Sequence, residues 1–398
     1  MFDNLNSKKW LSVELLYALA NAVIINFVSL YIWQTKQDLS PILLYHIALF
    51  VGIPIAGLAA SYLTEKNRLK YSFAISFLTK ALVLFSIIRY PETFINHPLV
   101  FGFISALATG FFIMPRNTVF QLLTDDTERG KQTAILNVGL SFIELAIPLL
   151  GAFWVFSTGS YNGIFTFAIF ILVLSAFFLS RIRLTTGDNI WNIKMALNFH
   201  RNPDFFKLAL IQYFSGIKNG ISWALFDVLT FYLLQGNMSK WGITDSFLNL
   251  IGIVGGIVYT KYIAGKLDLP ILMLTGLIYT GVNILFVSNF TFASLVTFMA
   301  FHYLAQVFLA SSISPVVTGM LEEDSRAGEL INEYNAILEF PLALGRITPL
   351  VVLFIANSSL DYDPVLKIIF LVMGVVPLII VSILKKTHLF KLQFEGLT

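Results

Sequence analysis

Twelve stretches of about twenty mostly apolar residues follow one another along this chain with little between them, and that spacing leaves few folds open. A hydrocarbon core about 30 Å thick needs roughly 20 apolar residues of helix to cross it. Within it every backbone N–H and C=O must be satisfied inside the protein, so only helices and closed barrels span. The stretches are continuous apolar runs and not alternations of apolar with polar residues, which selects helices. They fall near residues 10–33, 41–63, 71–89, 97–121, 133–156 and 161–181, then 206–234, 243–265, 268–288, 291–320, 332–356 and 364–384. The chain is 57% hydrophobic and 12% charged, against roughly 25% charged in a soluble domain. The expected fold class is therefore an all-α integral membrane protein with twelve transmembrane helices.

Most of the 26 Lys and Arg fall in the tails and in loops on one side, and only Lys36, Arg89, Lys240 and Lys367 fall in loops on the other. The positive-inside rule then puts both termini in the cytoplasm. The opening "MFDNLNSKKW" enters the first apolar run without a small-residue cleavage site, so that run reads as a retained span. In the central connection, 182–205, "DNIWNIKMALNF" sets Ile190, Ile193 and Leu197 at helical spacing behind Asp188. That pattern predicts a short helix on the membrane surface. A net charge of +3 gives no footprint for nucleic acid. Cysteine is absent, and no cluster has metal-ligand spacing. No glycine loop with lysine supports ATP drive, and no Ser, His and acid grouping suggests hydrolysis. No enzymatic chemistry is therefore expected of the chain, and no cofactor. Asn237, Asn289 and Asn357 begin sequons in expected outer loops, where turn chemistry explains them equally; the short loops and tails look prokaryotic.

The halves echo each other at a spacing of about 200 residues, visible directly in the sequence. "SLYIWQ" (29–34) closes the first span and "TFYLLQ" (230–235) the seventh, aligning Tyr31 with Tyr232 and Gln34 with Gln235. "PRNTVFQLLTDDTERG" closes the fourth and "PVVTGMLEEDSRAG" the tenth, each with Pro, Thr, an acidic cluster, then Arg and Gly. Pro148 in the fifth span falls opposite Pro349 in the eleventh. Over its whole length this plan resembles the major facilitator superfamily. The loop "GLAASYLTEKNRLK" keeps Gly57 and the basic Lys66, Arg68 and Lys70 of the family's motif between spans two and three, with Ser61 and Tyr62 where Asp and Arg are usual. "GLSFIELAIPLLG" keeps Gly139, Pro148 and Gly151 of the signature of its drug/proton antiporters, with Ile147 where a glycine usually precedes the proline. The resemblance implies a six-helix bundle over 1–181, a cytoplasmic linker over 182–205 and a second bundle over 206–398. It implies two bundles rocking about a site near the bilayer midplane, in a monomer of the cell membrane.

Eight charged residues fall within the expected spans: Glu14, Lys80, Arg116, Glu144, Lys218, Asp227, Glu339 and Arg346. A charge at the bilayer centre costs about 2.5–3.5 kcal/mol on insertion scales, so such residues face a cavity or a partner. An interhelical ion pair or a hydrogen-bonded polar group that fixes packing is the structural reading, taken first for Glu14, Lys80 and Arg116. An apolar setting favours the neutral form of a carboxyl group, which makes Glu144, Asp227 and Glu339 the expected proton carriers. Lys218 and Arg346 are the expected contacts for an anionic substrate group. Glu339 and Arg346, seven apart, share a face of one helix, with a rise of about 10 Å between them. Lys218 and Asp227, nine apart, lie on opposite faces, so each needs a partner elsewhere. His46 and His302 read as packing residues or proton relays. In the resembled family the first, fourth, seventh and tenth spans line the cavity. That adds Asn21, Asn26, Gln212, Asn219, Trp223 and Gln306 as substrate contacts, with Tyr17, Phe27, Phe214 and Tyr303 as aromatic lining. The expected function is a proton-coupled secondary transporter that exports a small amphiphilic or weakly anionic organic molecule. A proton-linked nutrient importer and a flippase for membrane lipid are the alternatives.

Overall fold

The computed structural model of the protein describes residues 4–65, 68–123, 126–182, 192–197, 203–259, 261, 269–322, 327–359 and 362–387. These form helices α1 (Asn4–Lys36), α2 (Ser40–Glu65), α3 (Leu69–Arg89), α4 (Pro91–Asn96), α5 (Pro98–Leu123), α6 (Asp126–Thr158) and α7 (Asn162–Ser180). The chain continues through α8 (Ile193–Ala196), α9 (Pro203–Leu233), α10 (Met238–Val258), α11 (Leu269–Ser288), α12 (Phe292–Glu322), α13 (Ala327–Ser359) and α14 (Tyr362–Leu384). Eleven of them are long and apolar enough to cross a membrane. The expected span not among them, 206–234, corresponds to α9, which has the length at 31 residues but interrupts its apolar run with Gln212, Lys218, Asn219 and Asp227. The protein is thus a multi-pass membrane protein, all-helical over its described residues.

The helix ends follow local chemistry. Asn237 caps α10 by accepting from the Lys240 N–H at 3.0 Å, which starts that helix five residues before the expected boundary at 243. Pro91 opens α4 at a first-turn position, where a missing N–H costs nothing. At the end of α9, Gln235 and Gly236 take φ of 55° and 77°, and the Gly236 N–H returns to the Phe231 carbonyl at 3.0 Å, a left-handed stop. Of the expected linker helix only α8 is described, packed on α13, with the Asn192 N–H donating to Glu333 at 2.9 Å. Ile190 and Asp188 lie outside the described residues. Pro148 inside α6 and Pro349 inside α13 stand in two helices of 33 residues each; neighbouring helices re-satisfy the backbone that such prolines disturb.

Packing between helices relies on glycine where backbones meet. On α9, a Cβ at Gly216 would lie 2.2 Å from the Leu342 carbonyl oxygen, and one at Gly220 would lie 2.3 Å from that of Arg346. A Cβ at Gly345 of α13 would in turn lie 1.9 Å from the Tyr213 oxygen. The two helices therefore touch main chain to main chain, the small-residue packing that lipid favours because it adds no hydrophobic drive between helices. Helices of the first and second halves meet along α2 with α13 and α6 with α10. At the ends remote from the chain termini, Asn357 donates to Ser40 Oγ at 2.8 Å, and Trp33 meets Tyr232 edge-on at 6.0 Å.

Candidate functional site

A cavity of about 240 Å³ opens among α1, α2, α3 and α5, with Leu140 of α6 and Trp223 of α9 completing its walls. Its polar groups arrive by the helical period. Glu14, Tyr17 and Asn21 recur along one face of α1, Tyr45 and His46 come from α2, Lys80 from α3, and Ser105 and Arg116 from α5. The Glu14 carboxylate pairs with the Arg116 guanidinium across α1 and α5. His46 Nε2 lies 2.9 Å from the Ser29 hydroxyl, and the Tyr45 hydroxyl donates to Ser105 Oγ at 2.8 Å. Lys80 is 3% exposed. Its ammonium donates to the Tyr17 hydroxyl at 2.6 Å and to Asn21 Oδ1 at 2.5 Å, and it lies 4.1 Å from the centre of the Tyr17 ring.

Trp223 also faces a second centre. Arg346, 7% exposed, places its guanidinium 5.1 Å from the Trp223 ring and 5.4 Å from that of Phe50, within cation–π range. Its Nη1 is 3.6 Å from Glu339 Oε2: close enough for the charges to pair, too long for a hydrogen bond. The pairing follows from the seven-residue spacing along α13. The same spacing leaves Arg346 Nε and Glu339 Oε2 without hydrogen-bond partners.

Lys218 and Asp227, on opposite faces of α9, go to different neighbours. Lys218 donates to the Gln306 side-chain oxygen of α12. Asp227 faces α10, where Asp245 is 3% exposed and accepts from the Asn249 amide at 3.1 Å. Asp245 lies within electrostatic reach of both Asp227 and Glu144, and the Tyr303 hydroxyl lies within reach of all three. Ser246 Oγ, donating to the Leu145 carbonyl at 2.8 Å, holds α10 against α6 beside Glu144. The second histidine, His302, has Nδ1 3.0 Å from the Tyr279 hydroxyl.

The structure thus distributes the expected site residues over four places. Asn21 and Trp223 line the cavity; Glu339 and Arg346 pair behind Trp223; Lys218 joins Gln306; Glu144 and Asp227 stand in an acidic group. Asn26, Gln212 and Asn219 are half-buried and do not line this cavity. Two residues were missed. Asp245 sat at the mouth of the expected eighth span, but the Asn237 cap starts α10 earlier and puts it two turns inside; that cap was the readable signal. Lys80 was read as an ion-paired or hydrogen-bonded packing group, and not as part of the substrate site. Its actual partners, Tyr17 and Asn21, lie about 60 residues away in sequence, at |i−j| of 63 and 59.

No family model matches the chain. The protein YqgE of Bacillus subtilis (strain 168), described as uncharacterized, is 21% identical over 374 residues, which is 92% of this chain and 86% of that protein. Among solved structures, the nucleoside transporter NupG is similar with a TM-score of 0.67 at 15% identity, over 97% of this chain and 100% of NupG. A D-xylose-proton symporter gives a TM-score of 0.68 at 14% identity, over 94% and 96% of the two chains. FucP, a major facilitator superfamily transporter in the outward conformation, gives 0.62 at 14% identity, over 94% and 97%. The helix order, the cavity and these likenesses together assign the chain the fold of the major facilitator superfamily transporters.

Proposed function

We propose that the protein is a secondary active transporter that moves a small amphiphilic or weakly anionic organic molecule by alternating access, coupled to protons. The observation that carries this reading is the cavity, whose walls come from five helices of the first half and Trp223 of the second. A ligand there touches both halves, so it can favour one arrangement of the halves over another, which is what coupling requires. In this reading residues 1–181 and 206–398 are the two rocking bundles and 182–205 is the linker. The termini are cytoplasmic, and the protein works as a monomer in the cell membrane.

Proton coupling is supported by the acidic group of Glu144, Asp227 and Asp245, which has no cation paired with it among the described residues. Gathering carboxyl groups in an apolar setting favours their protonated form nearer neutral pH, where a carrier must bind and release protons. Glu339 serves this role less well, because Arg346 already balances its charge. Export rests on the Gly139, Pro148 and Gly151 pattern in α6. Import is the second reading, favoured by the similar structure of a D-xylose-proton symporter.

The test is proton movement in liposomes holding the purified protein, with an imposed pH gradient and a panel of small organic acids, amides and amines. The expected result is substrate-dependent flux that Asp227→Asn or Asp245→Asn lowers at least tenfold while binding persists. Flux that survives both substitutions and Glu144→Gln would remove the acidic group from coupling. No flux with any compound would overturn the transporter reading.

A further inference from the structure

The charges of the cavity do not cancel. Glu14 and Arg116 pair with each other, which leaves the single positive charge of Lys80. An ammonium has three N–H donors, and Tyr17 and Asn21 take two of them. Among the described residues no carboxylate lies within ion-pair distance of Lys80, and nothing accepts its third proton. Both of its partners are neutral, as is the ring beneath it. A buried charge without a counter-charge is costly, and here it stands at the wall of a cavity. His46, on the same wall, leaves Nδ1 buried and without a hydrogen bond. The other polar groups of the lining, Ser29, Tyr45, Ser105 and Thr109, hydrogen-bond within the protein, and most of the rest is apolar, including Ile24, Val28, Leu49, Val83 and Phe112.

Resting on the transporter reading above, we infer that Lys80 is the anion-recognition residue of the cavity and that the ligand is a small organic monocarboxylate. The carboxylate takes the free donor of Lys80, and its apolar body lies between the Ile, Val and Phe side chains and the Trp223 ring. One uncompensated positive charge matches a monoanion; a dianion would leave an excess negative charge in an apolar wall. The volume of about 240 Å³ lies below the roughly 300–1,000 Å³ of drug-sized pockets, which fits a small acid and not a lipid. Lys218, on Gln306, and Arg346, on Glu339, lie away from this cavity. The anion contact therefore comes from the third span, not from the seventh or eleventh.

The experiment is calorimetric binding to the full chain in nanodiscs, using benzoate, hexanoate and cyclohexanecarboxylate, each beside its neutral amide, with wild type and Lys80→Gln. The expected result is that at least one carboxylate binds wild type ten or more times tighter than its amide, and that Lys80→Gln brings the two to within about twofold. Because Lys80→Gln can fail to fold, a second readout uses wild type alone. Acetylation of Lys80 by acetic anhydride, followed by peptide mass spectrometry, should slow at least fivefold with the carboxylate and not with the amide. Equal binding of acid and amide, unchanged affinity in Lys80→Gln, absence of any carboxylate binding, or protection of Lys80 by anionic lipid alone would each overturn the inference. Transport of the amides with no binding of the acids would overturn it while leaving the transporter reading in place. Binding of the acids without transport would do the reverse.

Discussion

Arg346→Met is expected to destabilise the protein by about 3–5 kcal/mol, the usual cost of removing one partner from a buried ion pair. Glu339 would remain on α13 as an uncompensated charge. The double substitution Arg346→Met with Glu339→Leu should recover most of that loss, because apolar groups of similar volume replace a buried pair at little net cost. Thermal unfolding of wild type, both single variants and the double variant in one detergent, followed by tryptophan fluorescence, gives the comparison. A double variant no more stable than Arg346→Met would mean that the guanidinium acts through its contacts with the Trp223 and Phe50 rings and not through Glu339.

The second large effect is expected at Gly345. A Cβ there would stand 1.9 Å from the Tyr213 carbonyl oxygen, and no rotamer relieves a clash between main chains. Gly345→Val must push α9 and α13 apart, and overpacking of this kind costs about 1–3 kcal/mol or more. The separation also breaks the contacts of Gly216 and Gly220, so the expected outcome is loss of monodisperse protein in size-exclusion chromatography. Gly281→Val on α11, where a Cβ meets nothing within 4 Å, is the matched control and should behave as wild type. Normal yield and thermal stability of Gly345→Val would show that the α9–α13 contact is looser than described.

The spans were legible because a bilayer demands long apolar runs, and such runs need no knowledge of tertiary contacts. Even α9, whose polar residues weaken its run, was recognisable by its length. The Glu339–Arg346 pair was legible for a related reason, since a seven-residue spacing on one helix needs only the helical period. Pairing between helices was not. Glu14 and Arg116 meet from positions 102 residues apart, and no local pattern in α1 or α5 encodes that meeting. Lys80 illustrates the same limit in a sharper form. Its sequence context announces a charge in a span, but whether that charge meets a carboxylate or the neutral oxygens of Tyr17 and Asn21 depends on how α1 and α3 pack. Asp245 was lost to a boundary error of five residues, which moved it from the interior of α10 to its mouth.

Arg346 touches a ring on either side of the boundary between the halves, Trp223 on its own side and Phe50 across it on α2. The glycine contacts tie α13 to α9, so the Arg346–Trp223 distance stays fixed when those helices move together. Any sliding against α2 is taken up at Phe50. A hydrogen bond there would be lost within about 1 Å of travel, whereas the attraction of a cation for a ring face fades gradually out to about 6 Å. In the alternating access proposed above, the middle of the α2–α13 seam would therefore act as a bearing and not as a latch.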